Sequence, residues 1–242
     1  MIITSLENNK IKDLVKLQSK KYRDSTNMFL VEGEHLVEEV YKSNLLKEVF
    51  VVEGDSFNID VPITYVSSDV MKKISTTDTY TNVVGLCEKK NSNEIIGNKI
   101  LLLDDIQDPG NLGTIIRSSV AFNVDTIILS ENTVDLYNSK VLRSTQGMFS
   151  HINIITMNLE EAITELKNRN IIVYGTNVNE GVDVRSISDT SSYALVMGNE
   201  GNGVHQDIQD MCDKNLYIKM SKNTESLNVG VACSILLYEL ER

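Results

Sequence analysis

The chain has 242 residues, 41% hydrophobic and 24% charged, a balance typical of a globular protein with one large domain or two modest ones. It contains no apolar run near the roughly 20 residues that span a bilayer, no signal-peptide pattern in MIITSLENNK, and only three scattered cysteines and three scattered histidines. We therefore expect a cytoplasmic protein with reduced thiols, no disulfide framework, no metal site and no membrane contact.

The formal net charge of −11 argues against a nucleic acid partner, because phosphate contacts normally come from lysine and arginine. The charge is unevenly distributed, however. Residues 1–26 carry six basic side chains against three acidic ones, so the rest of the chain is more acidic still. This basic segment is consistent with a small nucleic-acid-binding face or with a solvated helix surface, and charge alone does not decide between them.

The N-terminal third alternates short apolar stretches with amphipathic ones. The pattern predicts a helix over 8–21, a turn at 23–25, a strand at 29–31, a helix at 34–43, a strand at 47–52, a helix capped by residues 67–69, and a strand at 83–87. The polar run EKKNSNE that follows has no hydrophobic period. We therefore predict a small α/β domain over 1–90 and a linker over 91–98.

After the linker, strands and helices alternate regularly. Strands are predicted at 100–104, 125–129, 152–155, 171–175, 193–197 and 216–219, and helices at 113–122, 138–148, 159–169, 204–212 and 228–241. Asn158, three residues before Glu161, is a capping-box variant at the start of the third of these helices. Such alternation predicts a mostly parallel sheet covered on both faces over 99–242, with ligands bound outside the carboxyl ends of the strands.

Three polar loops fall at such strand ends. They lie in LDDIQDPGNLGTIIRSS (103–119), LVMGNEGNGV (195–204) and KMSKNTESLNVGVACSILLYEL (219–240). Each motif begins with a short apolar run, passes through glycine, asparagine and glutamate, and then enters a predicted helix. This arrangement indicates that the loops carry the chemistry.

Each motif taken alone has a simpler explanation. Arg117 presents a planar fork suited to phosphate, and a surface charge is the alternative explanation. Ser226 and Asn228 are suited to cap the last helix. The second motif has its glycines in the reverse order of a dinucleotide-binding loop, and Glu200 would repel a pyrophosphate. A nucleotide-dependent oxidoreductase is therefore disfavoured.

Together, in this order, the three motifs resemble those of the SpoU/TrmH family of RNA ribose methyltransferases, which belong to the SPOUT class. The resemblance covers about residues 98–242 and implies a trefoil-knotted fold, a homodimer and S-adenosylmethionine as the cofactor. It implies a catalytic set made up of Asn111, Arg117, Glu200, Ser226 and Asn228. It also implies a cofactor-binding set made up of Met197, Gly198, Gly203, Ile218, Met220 and Leu227. The third loop departs from the family pattern, since Lys219 and Lys222 replace a frequent proline and glycine. Either this loop is more flexible or Lys222 contacts RNA.

The segment KYRDSTNMFLVEGEHLVEEV resembles the L30e-like substrate-binding domain that precedes many SpoU-class catalytic domains. It lacks the Pro-Gln-Gly often found later in that domain, and a generic α/β domain without RNA contact is the alternative. The resemblance assigns RNA binding to Lys20, Lys21 and Arg23, and on the catalytic side to Arg117. It favours ribosomal RNA over transfer RNA as the substrate.

The expected reaction is methyl transfer from a sulfonium to a ribose 2′-oxygen. Arginine stays protonated at physiological pH, so we expect Arg117 to clamp a neighbouring phosphate and orient the 2′-hydroxyl, whose proton is lost late or to solvent. A catalytically silent RNA-binding or ribosome-assembly protein of the same fold is the alternative. This alternative function gives no chemical reason for all of the motif residues to be present.

Overall fold

The computed structural model describes residues 2–77, 81–90, 92–178, 181–221 and 223–241, which form two compact units. Unit 1 consists of Met1–Asn91 and Asp135–Ser150, and unit 2 of Ser92–Val134 and His151–Arg242. Within the described part of the chain, no helix is both long and apolar enough to cross a bilayer.

The elements alternate along the whole chain. The first ten are β1 (Ile2–Ile3), α1 (Asn9–Lys16), α2 (Lys20–Thr26), β2 (Met28–Glu32), α3 (Glu34–Lys42), β3 (Leu46–Val52), β4 (Ile63–Val66), α4 (Ser68–Ile74), β5 (Val83–Glu88) and β6 (Lys99–Leu103). They are followed by α5 (Pro109–Ala121), β7 (Thr126–Leu129), α6 (Ser139–Thr145), a 3₁₀ turn (Met148–His151), β8 (Asn153–Thr156), α7 (Leu159–Asn168), β9 (Val173–Thr176) and β10 (Val182–Asp183). The last elements are a 3₁₀ turn (Val184–Ser186), β11 (Tyr193–Met197), α8 (Gln206–Asp210), β12 (Lys214–Tyr217) and α9 (Val229–Leu240).

Unit 1 contains a mixed sheet with the strand order β1-β4-β3-β5-β2, in which β5 is antiparallel to both of its neighbours. Helices α1 and α4 bury their apolar residues against it, around Ile11, Phe50 and Met71. The predicted helix over 8–21 is two helices, and the turn predicted at 23–25 is wrong, because these residues lie inside α2. Burial of Arg23, described below, explains why this helix continues through a polar stretch.

Unit 1 also includes a segment from the second half of the chain, Asp135–Ser150. The Phe29 ring on β2 lies 4.7 Å from the ring of Tyr137 and 5.9 Å from that of Phe149, measured between centroids. Gly147 has φ +87°, and a Cβ there would lie 2.6 Å from Glu39 Cβ, so this segment needs glycine. The sequence analysis expected a helix at 138–148 but did not anticipate that it packs on β2.

Unit 2 is built on a seven-stranded sheet with the order β10-β12-β9-β11-β6-β7-β8, and every neighbouring pair is parallel. The predicted α/β class with a mostly parallel sheet is therefore confirmed. Helix α7 packs on one face of the sheet through residues such as Ile163 and Leu166. Leu101 and Leu103 alternate with residues of that face and are also fully buried, so both faces of the sheet are covered.

Candidate functional site

The three motif loops leave the sheet of unit 2 at the same edge. The first follows β6, the second follows β11 and the third follows β12. Because β11 pairs directly with β6, only β9 separates β11 from β12, and all of these strands are parallel, their carboxyl ends lie close together at one edge of the sheet. The sheet thus brings together loops that are about a hundred residues apart in the sequence.

Helix α5 positions the first motif. It begins at Pro109, four residues earlier than predicted, because the Asp108 side chain accepts a hydrogen bond from the Asn111 backbone N–H at 2.8 Å. Proline is well suited to the first helical position, since it has no N–H to satisfy there. Asn111 therefore lies in the first turn of α5, next to the loop.

Hydrogen bonds between side chains join all three motifs. Asn111 donates through Nδ2 to Glu200 Oε1 at 2.9 Å, and it accepts through Oδ1 from Asn228 Nδ2 at 2.8 Å. We call Asn228, Asn111 and Glu200 the amide–carboxylate chain. It fixes which way the Asn111 amide points, because its oxygen faces a donor and its nitrogen faces an acceptor.

The carboxylate of Glu200 is held by further donors. It accepts the backbone N–H groups of Gln107 at 3.3 Å and Asp108 at 3.1 Å. Burial raises the pKa of Glu200, but the hydrogen bonds from Asn111 and from the backbone outweigh it and leave the pKa below the ordinary value. Glu200 is therefore ionised at neutral pH, and its charge fastens the second loop to the first.

Asn228 has two roles in the structure. Its Oδ1 accepts the backbone N–H groups of Gly230 at 3.0 Å and Val231 at 3.2 Å, which caps α9. Its Nδ2 donates to Asn111. The capping role proposed as the simpler explanation is thus present, and it coexists with the contact to the first motif.

The second motif forms a compact loop. Asn199 and Gly203 exchange backbone hydrogen bonds at 2.9 Å, and the Asn199 side chain donates to the Asp105 carbonyl at 2.8 Å. A Cβ on Gly198 would lie 2.1 Å from Gly203 C and from Val204 N, so only glycine fits there. The loop therefore closes on itself directly after β11.

A cavity of about 660 Å³ opens beside these loops, a size usual for small-molecule sites. All six predicted cofactor-binding residues line it, as do four of the predicted catalytic residues, Asn111, Glu200, Ser226 and Asn228. Thr176, Asn177 and Val178 line it too, and the sequence analysis missed them. They lie at and just after the end of β9, and they could have been found from their position at the end of a predicted parallel strand, although this stretch lacks the glycine-rich signature of the motifs.

Arg117 differs from the other predicted catalytic residues. It is exposed on α5 and is not among the residues that line the cavity. Within the described part of the chain its guanidinium forms no hydrogen bond and no ion pair. The structure therefore leaves its five donors available to a ligand outside the cavity.

His205 is a further residue that the sequence analysis missed, although it follows the second motif directly. Its Nδ1 lies 2.9 Å from Oδ1 of the buried Asp104, and its backbone N–H donates to Asp104 Oδ2 at 2.7 Å. The hydrogen bond and the charge of Asp104 raise the pKa of His205 above 6.5. Asp104, Asp105 and His205 each have an atom able to coordinate a metal ion, and these atoms lie within 4.8 Å of one another. The positions of the three residues in the sequence did not reveal this proximity.

The predicted RNA-binding residues of unit 1 separate into two groups. Lys20 and Lys21 are exposed. Arg23 is only 6% exposed, and its guanidinium donates to the carbonyls of Leu17 and Gln18, both at 2.9 Å, and pairs with Asp135 at 2.5 Å. Arg23 is therefore not presented to a ligand. Lys222, the other predicted RNA contact, lies outside the described residues.

Comparisons with known proteins identify the family of the chain. The SpoU rRNA methylase family matches residues 98–238, and an MRM3-like substrate-binding domain matches residues 8–85. A Bacillus subtilis protein, the 23S rRNA (guanosine(2553)-2′-O)-methyltransferase RlmP, is 40% identical over 98% of both chains.

Two solved structures extend the likeness to the whole fold. An S-adenosylmethionine-bound rRNA methyltransferase from Sinorhizobium meliloti has a TM-score of 0.87 and 30% identity, over 99% of this chain and 97% of that one. An RNA 2′-O-ribose methyltransferase has a TM-score of 0.84 and 26% identity, over 99% and 98%. The predicted two-part fold, a SPOUT-class methyltransferase preceded by a substrate-binding domain, is confirmed. This chain belongs to the SpoU rRNA methylase family.

Proposed function

We propose that this chain transfers a methyl group from S-adenosylmethionine to the 2′-hydroxyl of a ribose in ribosomal RNA. The observation that carries the proposal is the amide–carboxylate chain, which joins all three family motifs among the residues lining one cavity. A protein that only bound RNA would not need this arrangement beside a cavity of cofactor size.

The residues of the cavity suit this cofactor. Met197, Ile218, Met220 and Leu227 provide apolar surface, and the closed loop at Gly198 brings backbone close to the cavity. Glu200 places a negative charge near this space, which favours a cationic ligand. When bound, the cofactor supplies a methyl group activated by a sulfonium.

The side chains around the cavity would orient the ribose. Asn111, Ser226 and Asn228 provide hydrogen-bonding groups there, and Glu200 keeps Asn111 in one orientation. Arg117 would hold a neighbouring phosphate and thereby fix the 2′-hydroxyl, whose proton is lost late or to solvent. Orientation of this kind can contribute several kcal/mol to lowering a barrier.

The proposed substrate is a guanosine of 23S ribosomal RNA, by analogy with the Bacillus subtilis relative. Residues 1–90 would bind the RNA through Lys20 and Lys21, and residues 99–242 would carry the reaction. We place the activity in the cytoplasm, where the three cysteines, all unpaired in the structure, would stay reduced.

We further propose that the active form is a homodimer that uses α9. Val231 is 46% exposed and Tyr238 is 63% exposed on this helix, with the half-buried Ile235 between them at helical spacing. An exposed apolar stripe on a helix is a common feature of subunit interfaces. A second copy of the chain would cover it.

The direct test is transfer of labelled methyl from S-adenosylmethionine to unmodified ribosomal RNA and transfer RNA, followed by alkaline hydrolysis. We expect label in ribosomal RNA, in a dinucleotide that resists alkali, because a methylated 2′-oxygen cannot attack the adjacent phosphate. Asn111→Ala protein provides the control for contaminating activity. Label in mononucleotides, or on transfer RNA alone, would refute the proposed reaction or substrate, and no label at all would favour a silent binding protein.

A further inference from the structure

Helix α2 of unit 1 carries exposed lysines that the chain itself does not neutralise. The three lysines of α1 are each paired with a carboxylate, Lys10 with Glu48, Lys12 with Glu7 and Lys16 with Asp13. Lys20 and Lys21 on α2 form no ion pair with any described residue. The charge of Lys20 helps to lower the pKa of Asp24, whose main partner is the hydrogen-bonded Lys89. In a chain with a formal net charge of −11, two exposed lysines without an ion pair indicate an anionic partner.

An exposed aromatic ring follows these two lysines directly. Tyr22 is 40% exposed, and the Lys16 ammonium lies 5.8 Å from its ring centroid. Within the described part of the chain the Tyr22 hydroxyl forms no hydrogen bond, and its ring packs on no other aromatic ring. Neither a hydrogen bond of the hydroxyl nor a contact with another ring therefore explains why a tyrosine is present here.

The buried Arg23 determines which side of α2 faces outward. At 100° per residue, Lys21 and Ser25 lie opposite Arg23, Tyr22 lies on one flank of that side, and Lys20 and Asp24 lie on the other flank. All five residues are exposed, and Asp24 is neutralised by Lys89 at 2.6 Å. We call Lys20, Lys21, Tyr22, Asp24 and Ser25 the α2 face.

Arg23 also makes the α2 face rigid. Its hydrogen bonds to the carbonyls of Leu17 and Gln18 fix the turn before α2, and its ion pair with Asp135 joins the helix to the segment Asp135–Ser150 of the same unit. A surface fixed in advance loses little conformational entropy when it binds. Arg23 is thus a positioning residue for the α2 face, a different role from the direct RNA contact expected from the sequence.

We propose that the α2 face binds an unpaired stretch of RNA, with a base stacked on Tyr22 and phosphates held by Lys20 and Lys21. Unpaired bases expose the π-faces that aromatic side chains stack on, whereas a duplex hides them. This inference rests on the proposed function and adds the form of RNA that unit 1 selects.

The test compares the full-length protein and its variants for binding to a labelled single-stranded oligoribonucleotide of about 12 nucleotides and to a duplex of the same sequence. We expect Tyr22→Ala to raise the Kd for the single strand about tenfold and to leave the Kd for the duplex within about twofold. Tyr22→Phe should bind like wild type, because the ring is retained. Lys20→Ala and Lys21→Ala should weaken binding to both RNAs and reduce the salt dependence.

Tyr41→Ala provides the matched control, because Tyr41 is 37% exposed on another helix of unit 1. Thermal unfolding of each variant checks that it is folded. An unchanged single-strand Kd in folded Tyr22→Ala, an equal loss of duplex binding, or the same loss in Tyr41→Ala would each overturn the proposal. Wild-type methyl transfer to ribosomal RNA is measured separately, so failure at the α2 face is distinguishable from failure of the proposed function.

Discussion

The side chain of Arg117 is exposed and forms no hydrogen bond or ion pair with a described residue, so its replacement should leave the free energy of unfolding nearly unchanged. A guanidinium binds two phosphate oxygens in one plane, whereas the lysine ammonium acts as a point charge. We therefore expect Arg117→Lys to lower kcat with saturating RNA about tenfold or more at unchanged Tm. Near-normal turnover would contradict the role given to Arg117.

Substitutions of Asn228 can test separately its cap of α9 and its hydrogen bond to Asn111. Asn228→Asp keeps an oxygen for the N–H groups of Gly230 and Val231 but loses the donor to Asn111. We expect this variant to unfold at nearly the wild-type temperature and to lose most of its kcat. Asn228→Ala should lose kcat and also about 1 kcal/mol of the free energy of unfolding, because the helix cap is removed.

Thermal denaturation and single-turnover methyl transfer, measured on both Asn228 variants, check this expectation. Wild-type kcat in Asn228→Asp would show that the contact to Asn111 has no part in the reaction. A large loss of stability in the same variant would instead show that the cap depends on the amide.

Among the elements, the loop after β11 is tightly constrained by glycine. Gly198→Ala places a Cβ 2.1 Å from backbone atoms, whereas a Cβ on Gly201 would lie 3.5 Å from its nearest neighbour, Asn199 Oδ1. We expect Gly198→Ala to raise the Kd for S-adenosylhomocysteine about tenfold or more, and Gly201→Ala to leave it within about twofold. Calorimetric titration measures both, and equal affinities would show that loop closure does not shape the cavity.

The loop is also joined to the end of β6 by His205 and Asp104, and this contact depends on pH. Because Asp104 raises the pKa of His205 in the folded state, the contact stabilises the protein below the ordinary value of 6.5 and is lost as the pH rises through the raised value. We expect Tm to fall between about pH 6 and about pH 9 more in wild type than in His205→Gln. If Tm fell with pH by the same amount in both proteins, the contact between His205 and Asp104 would make no pH-dependent contribution to stability.

Elements with clear hydrophobic patterns could be predicted from the sequence. The strands of unit 2 were placed within about two residues, because buried parallel strands are continuous apolar runs. The start of α5 was predicted four residues too late, because the cap at Asp108 and the proline at the first helical position were not recognised. The strands β1 and β10 were missed, because two residues give no measurable period. The strand β4 was missed because it is only partly buried and lacks a continuous apolar run.

The candidate site was predictable only in part. The motif residues that line the cavity were identified from the resemblance of the three ordered motifs to the SpoU/TrmH family, but the amide–carboxylate chain that joins them was not. Arg23 is another example of a contact that the sequence does not reveal. Its charge is visible in the sequence, but its partner Asp135 lies 112 residues away. Burial set by distant segments cannot be read from local composition.

For the whole molecule, the proposed homodimer gives a direct expectation. Val231→Glu places a charge on the apolar stripe of α9 and should weaken dimerisation at least about tenfold, because an unpaired charge would be buried in the interface. Ile172→Glu is the control, as Ile172 is 44% exposed elsewhere on unit 2. Light scattering after size exclusion gives the mass of each protein. A monomeric wild type, or equal effects of the two variants, would contradict the proposed interface.

The segment Asp135–Ser150 has a practical consequence for recombining members of the family. The family models suggest one cut near residue 91, between residues 8–85 and 98–238. A chimera joined there would inherit Tyr137 and Phe149 from one parent and Phe29 from the other, which mismatches a core. Specificity would therefore be transferred intact only by exchanging two pieces, the N-terminal ninety residues together with Asp135–Ser150.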